Sequence, residues 1–143
     1  MSSFEIRRAE SDAEIARLFP VIRELRPHLK DADEFVARVR RQEKQGYRLI
    51  DVEDDGVPVA CAGYRLVEYL FAGLSLYVDD LICLESHRGK GFAAALMRWM
   101  EVRAREEGCE TFHLDSGTHR QRAHHFYFRQ GLSITSFHFV KKL

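Results

Sequence analysis

Leu76 to Arg103 reads LYVDDLICLESHRGKGFAAALMRWMEVR, and this stretch decides the fold. Its first part, Leu76 to Cys83, is an apolar run that carries two adjacent acids, Asp79 and Asp80. Apolar runs of this length, rich in branched side chains, form buried strands. A polar tetrad, Glu85-Ser86-His87-Arg88, leaves the strand, and Gly89-Lys90-Gly91 follows. From Phe92 the large apolar residues recur every three or four positions, at Leu96, Trp99, Met100 and beyond. That spacing predicts a helix with one buried stripe. Small residues at Gly89, Gly91, Ala93 and Ala94 leave the N–H groups of the helix start uncovered. Such a start has unpaired donors and the positive end of the helix dipole, so it suits a phosphate or pyrophosphate. Arg88 and Lys90 add positive charge.

Three glycine patterns precede helices, and spacing separates them. A P-loop needs Gly-Lys followed by Ser or Thr; here Gly89-Lys90 is followed by Gly91. The dinucleotide pattern G-x-G-x-x-G/A is met by Gly89, Gly91 and Ala94, with Glu110 roughly 20 residues on. It should follow its strand directly and open a βαβ series, whereas several polar residues intervene here. Read that way, GKGFAA would belong to a nucleotide-dependent oxidoreductase. The third pattern, [QR]-x-x-G-x-[GA], is met by Arg88-Gly89-Lys90-Gly91-Phe92-Ala93.

That hexapeptide resembles the acyl-CoA pyrophosphate loop of the GNAT family of N-acetyltransferases, where it lies mid-chain, after a strand, opening a long helix. A second stretch, Arg122-Ala123-His124-His125-Phe126-Tyr127-Phe128-Arg129-Gln130-Gly131-Leu132, is similar to that family's A-x-x-F-Y-x-x-x-G-F segment, with Leu132 in place of Phe. The resemblance covers Leu76 to Leu132; the N-terminal third matches in element order only. It implies a mixed α/β (α+β) sheet with helices on both faces. It also implies acetyl-CoA as acyl donor, an amine acceptor and no metal. Carried over residue by residue, it puts the pyrophosphate on Arg88, Gly89, Lys90, Gly91, Phe92 and Ala93. The backbone of Leu81, Ile82 and Cys83 would take the pantetheine arm, with further cofactor contacts from Ala123, Phe126 and Tyr127. Tyr127 would be the general acid, and Asp79 or Asp80 the base, directly or through water.

The chemistry asks for these groups. A neutral amine must attack a thioester, its carbonyl oxygen gains charge, and a thiolate leaves. Donors aimed at the developing oxyanion give the largest stabilisation. A carboxylate eases entry of a cationic amine. Neighbours on a strand point to opposite faces, so one aspartate would face the cleft and the other be paired elsewhere. Tyr127 lies between Phe126 and Phe128, so an aromatic core stripe competes with its acid role. His113, His119, His124 and His125 are close in sequence, but none stand at i, i+4 on one helix with a completing carboxylate. His124 or His125 would instead line the acyl or amine site.

The rest of the chain completes the reading. Its 143 residues predict one domain, 1–143, with a real core. The 22 basic and 22 acidic residues cancel, which argues against a nucleic acid or a membrane surface as partner; a homodimer stays open. Cys61, Cys83 and Cys109 are odd in number and lack C-x-x-C spacing. No leader pattern opens the sequence, so the cytoplasm is the expected compartment.

In order, Phe4 to Arg7 predicts a strand and Ser11 or Asp12 caps a helix that must kink or restart at Pro20. Asp31 or Asp33 caps a second helix, whose Arg38, Arg40, Arg41 and Lys44 read as a solvated face. Strands at Tyr47 to Val52 and Val57 to Val67 flank an Asp55-Gly56 turn. Tyr69 to Gly73 fits a loop or an extension of either neighbouring strand. After the central unit come a strand at Thr111 to Asp115 and a helix from Arg120 to Gln130. Ile134 and Phe137 to Val140 predict one or two final strands. The acceptor is not encoded in any motif, and a CoA-binding sensor or interaction module without turnover is the alternative function.

Overall fold

The structure, a computed structural model, describes residues 4–143. It divides into two compact units, one ending at His113 and one running from Leu114 to Leu143.

The first unit opens with β1 (Ile6–Arg8). Helix α1 (Asp12–Ala16) starts on a capping box, in which the Ser11 side chain accepts from the Glu14 N–H and Glu14 reaches back to the cap. Pro20 falls in the first turn of α2 (Phe19–Leu25), where its missing N–H costs nothing, so the chain restarts there instead of kinking. Helix α3 (Ala32–Glu43) is capped by Asp31, whose Oδ1 accepts from the Glu34 N–H at 2.8 Å. Arg40 ties α3 to α1 through Asp12 and the Glu10 carbonyl.

Four antiparallel neighbours and a fifth strand make the mixed sheet, in the order β1-β2-β3-β4-β5. The strands are β2 (Arg48–Asp54), β3 (Val57–Tyr69), β4 (Gly73–Cys83) and β5 (Thr111–Leu114). The Tyr69 to Gly73 segment extends both neighbours: Tyr69 pairs with Gly73, so β3 and β4 form one long hairpin. Strand β4 therefore begins three residues before Leu76. Helix α4 (Phe92–Glu106) returns the chain from β4 to β5.

Alternation along β2 and β3 loads both faces of the sheet. Leu49 and Cys61 join Ile15, Leu18, Ile22, Phe35 and Val39 of the N-terminal helices in one core. Ile50, Val52, Ala60 and Ala62 point the other way. Helix α4 contacts β1 to β4 and buries Phe92, Leu96, Met97 and Met100. Each such side chain contributes about 1.5–3 kcal/mol on burial.

The second unit holds α5 (Gln121–Arg129) and the residues after it. The final strands predicted at Ile134 and at Phe137 to Val140 do not form: residues 133–143 are neither helix nor strand, and all are exposed. Their side chains have strand chemistry, but a strand exists only when its backbone groups are paired, and no described residue pairs with them.

Candidate active site

The 3-10 turn at Glu85–His87 carries the chain out of β4, and Arg88 leaves it in an extended conformation. Gly89 has φ +79° and Gly91 φ +91°, the left-handed region that side chains rarely tolerate. Gly91 is the N-cap of α4, and no side chain caps that end. The first-turn N–H groups of the helix have no partner within it. Arg88 and Lys90 are exposed, and neither is ion-paired among the described residues. The predicted anion loop therefore has the conformation its glycines require. Phe92 has only its backbone to offer a ligand, because its ring is 3% exposed and packs on Phe4 with centroids 4.4 Å apart.

Upstream, β4 pairs with β3 through Ala60↔Cys83, Cys61↔Ile82 and Ala62↔Leu81. The Leu81 and Ile82 side chains are buried, so any contact they make with a ligand is through the main chain. The links from β4 toward β5 lie at its far end, where Glu110 N–H donates to Leu74 O at 2.8 Å and the Ser75 and Thr111 hydroxyls are 2.7 Å apart. Cys83 is half-buried; burial raises its thiol pKa, while Arg88 and Lys90 oppose the rise.

The aspartates depart from the simple strand rule. Gly63 pairs with Asp80, yet the next residue, Tyr64, pairs with Val78. Asp79 is the extra residue of a β-bulge. The bulge cancels the alternation, and both Asp79 and Asp80 line the same cleft, a space of about 380 Å³. The expectation that they face opposite sides is thus corrected. The cleft also takes Arg26 and His28 from the end of α2 and beyond, and Arg38 and Gln42 from α3. Arg38, read from sequence as part of a solvated face, lines it while paired to Glu34 at 3.1 Å.

Both carboxylates are held on both oxygens. Arg65 Nε donates to Asp79 Oδ1 at 3.0 Å and a second guanidinium nitrogen donates to Oδ2. Arg26 Nε donates to Asp80 Oδ1 at 2.8 Å, and the Tyr47 hydroxyl donates to Asp80 Oδ2 at 2.8 Å. Arg26 also donates to the Asp79 carbonyl at 3.0 Å. Burial, then the Asp80 charge, pushes the Tyr47 phenol well above its usual pKa, so it stays a donor. The phenol occupies the space that a side chain at position 63 would need: a Cβ on Gly63 would lie 1.8 Å from the Tyr47 hydroxyl. Sequence reading missed Tyr47, Arg26 and Arg65. The only signal for Tyr47 was a glycine within an otherwise good strand, which marks close approach of another group.

In the second unit, Tyr127 is half-buried on α5, its ring 5.7 Å from that of Phe126. Burial raises the phenol's pKa, and a hydrogen bond with Arg120 and that residue's charge oppose the rise. His124 Nε2 lies 2.8 Å from the Gly117 carbonyl, so its ring is used within the unit. Ala123 is half-buried on the same helix.

A model of the acetyltransferase (GNAT) family matches residues 13–132, a span that includes the glycine loop, the bulged strand and its two acids. The chain belongs to the GNAT family. An aminoalkylphosphonate N-acetyltransferase of Salmonella typhimurium is 35% identical over 66 residues, which is 46% of this chain. That match spans 43% of the relative's own length. A transcriptional regulator from Bacillus halodurans superposes with a TM-score of 0.86 at 18% identity, covering 98% of this chain and 99% of that one. An aminoglycoside N-acetyltransferase, AAC(6')-Iy in complex with CoA, superposes with a TM-score of 0.85 at 16% identity, covering 100% and 96%. At such identities the two structures establish the GNAT fold and nothing finer.

Proposed function

We propose that this chain is an acetyl-CoA-dependent N-acetyltransferase acting on a primary amine by direct attack in a ternary complex, with residues 1–143 as one catalytic domain. The observation that carries the reading is the pair of positive-φ glycines that opens α4 without a side-chain cap, one 3-10 turn after a bulged strand. The pyrophosphate is held by the N–H groups from Gly89 to Ala93, with Arg88 and Lys90 neutralising its charge. The main chain of Leu81, Ile82 and Cys83 binds the pantetheine and polarises the thioester carbonyl. Ala123, Phe126 and Tyr127 complete the cofactor contacts, by their match to the family's second motif. The amine nitrogen attacks the carbonyl carbon, the C–S bond breaks, and the Tyr127 hydroxyl protonates the departing sulfur.

The amine must lose a proton. Asp79 is the first candidate to receive it and Asp80 the second. Each oxygen of the pair already accepts a hydrogen bond, so the transfer needs a bridging water or the temporary release of Arg65 or Arg26. The same observation favours the second reading, a CoA-binding module without turnover, because the carboxylates are occupied. For the acceptor, a small amine with an anionic group is the first to test: the curated relative's name specifies an aminoalkylphosphonate, and Arg38 lines the cleft here.

Two measurements on one preparation decide. Release of CoA thiol from acetyl-CoA over a panel of amines should show turnover with at least one small amine. Calorimetry should show acetyl-CoA binding weakened about 10- to 150-fold in Gly91→Val, the loss of hydrogen bonds to a charged group. Binding without turnover on every amine would favour the module; unchanged affinity in a folded variant would remove the loop assignment. No helix among the described residues is long and apolar enough to cross a membrane.

A further inference from the structure

A second cavity lies on the face of the sheet away from the aspartates. It encloses about 500 Å³, and Arg8, Arg48, Tyr64, Leu66 and Arg103 are among the residues that line it. The register explains why these side chains meet. Arg8 pairs with Ile50, Arg48 stands two residues before Ile50, and Arg48 pairs with Tyr64. Residues paired across strands, and those two apart along one strand, share a face. Helix α4 packs on this face, and Arg103 reaches the cavity from its last turn.

Three guanidinium groups therefore converge from β1, β2 and α4. All three act on the Tyr64 phenol, which is 3% exposed: burial raises its pKa, and Arg8, Arg103 and Arg48 oppose the rise. Like charges gathered in this way repel unless an anion lies among them. The chain supplies anions only in part. Arg103 is paired with Glu107 at 2.8 Å, and Glu43 is held by Arg40 at 2.9 Å. Arg8 and Arg48 have no carboxylate partner among the described residues. Arg8 lies over the Trp99 ring, 5.7 Å from its centroid, and Arg48 donates to the Tyr47 carbonyl at 2.8 Å. The Arg103 Nε is buried and has no hydrogen-bond partner among the described residues. A buried donor left unpaired asks for a partner. Two guanidinium groups free of carboxylates, one orphaned N–H and a phenol form a donor set suited to a carboxylate or a phosphate.

We propose that this cavity binds a small organic anion, with its carboxylate or phosphate head on Arg8 and Arg48 and its apolar body against Leu66. The volume falls in the usual range for small ligands, roughly 300–1,000 Å³. Glu10 also lines the cavity, so a single anionic head suits it better than a polyphosphate. The site is separate from the glycine loop, because Arg103 follows Gly91 by 12 residues, about 18 Å along the helix. It is separate from the aspartate cleft as well, since Tyr47 and Arg48 are neighbours that point to opposite faces. The inference is therefore independent of the acetyl-transfer reading.

Trp99 is the chain's one tryptophan, and it stands beside this cavity with the Tyr64 ring 5.9 Å away. Its emission reports occupancy. Hexanoate, hexyl phosphate and hexanol share one body and differ in the head, and each is titrated into the whole chain at constant ionic strength. Hexanoate or hexyl phosphate should give a saturable change and hexanol none, and the tighter of the two anions identifies the head. Arg8→Gln with Arg48→Gln should weaken binding at least about tenfold, the loss expected when hydrogen bonds to a charged group are removed. Both side chains are exposed, so the fold should persist. Because Arg8 touches the reporter, the double variant is read by the rise in melting temperature that the probe produces. Gly91→Val and Arg41→Gln should bind as the wild type does. The proposal is overturned by no saturable response to either anion at millimolar concentration, by an equal response to hexanol, or by unchanged affinity in the double variant. Loss of the response in folded Gly91→Val would also overturn it, since the anion would then be on the loop.

Discussion

The loop at Gly89 to Ala94 and the aspartates at 79 and 80 lie a few residues apart and are prepared in opposite ways. The loop presents donors with nothing bound to them: uncapped N–H groups, exposed cations, glycines in the left-handed region. The carboxylates present no vacancy, since two guanidinium groups and a phenol engage all four oxygens. A free anion site at a helix start costs little, because water solvates it until a ligand arrives. A buried carboxylate pair without partners would cost far more, because like charges side by side in a half-buried cleft repel. The fold can leave the first open and must compensate the second. On the proposed function, the loop would take the cofactor's anionic group without rearrangement, whereas acceptance of a proton by either carboxylate would need a rearrangement or a water.

The compensation can be broken at its tightest point. Gly63→Ala would put a methyl group 1.8 Å from the Tyr47 hydroxyl and within 2.5 Å of its ring. The phenol would have to leave Asp80, or β3 would have to move away from it. Overpacking together with an unpaired buried acceptor should cost about 2–4 kcal/mol. Urea unfolding of the variant checks this, and a loss below about 0.5 kcal/mol, ordinary for a surface change, would mean that the cleft yields more easily than its geometry implies.

Next in size is Tyr127→Phe, which carries the comparison into the second unit. Burial keeps this phenol protonated despite Arg120, a state suited to giving a proton once. General acid help is worth roughly 10²–10⁴-fold, and the lower end applies here because a thiolate with a pKa of roughly 8.5 leaves tolerably well unaided. Turnover should fall about 10- to 300-fold, with the acetyl-CoA Michaelis constant and the melting temperature nearly unchanged. Normal turnover in a stable variant would return Tyr127 to the aromatic stripe.

What could be read from the residues, and what could not, follows the same line. Gly89 and Gly91 carry a local requirement, a positive φ at fixed spacing before a helical stripe, and local requirements are visible in a sequence. Ser11, Pro20 and Asp31 were legible for the same reason: each acts within four residues of itself. The bulge at Asp79 has no such mark, since it arises from how β4 meets β3 opposite Gly63. Arg26 and Tyr47 reach Asp80 across separations of 54 and 33 residues, and nothing near either residue announces it. The tail failed as a strand prediction because composition states what a segment can pair as, not whether a partner is in reach.

The carboxylate question itself has a finer test. If Asp79 or Asp80 accepts the amine proton, Asp79→Asn or Asp80→Asn should depress turnover most near neutral pH and least in alkali, where the amine is already neutral. With both carboxylates engaged, a loss of about tenfold is expected, below the usual range for a direct base. A pH–rate profile for each variant separates the two roles. A loss equal at every pH would assign the pair to holding Arg26 and Arg65 in place.

Asp51 supplies the control that the pair lacks, a buried carboxylate without a full set of partners. It is 4% exposed on β2, and its Oδ2 has no hydrogen-bond partner among the described residues. Burial pushes its pKa up to about 6, with the Glu53 charge adding to the rise and Arg7 and Arg17 opposing it. Because the folded value exceeds the unfolded one, the native state binds the proton more tightly between roughly pH 4 and 6. Its contribution to stability is therefore fully present below about pH 4 and is lost as pH rises through about 6. Glu14 and Glu34 work the other way, since hydrogen bonds from backbone N–H groups lower their values and their contribution fades in acid. The wild-type curve alone mixes these trends, and the difference between wild type and Asp51→Asn isolates one of them. The amide cannot ionise, so the variant should gain up to about 3 kcal/mol on the wild type at pH 7.5, and the gain should shrink toward zero near pH 4. Urea midpoints at the two pH values measure it. A gain that is the same at both would mean that Asp51 stays charged when folded, and that Arg7 and Arg17 neutralise it as Arg26 and Arg65 neutralise Asp80 and Asp79.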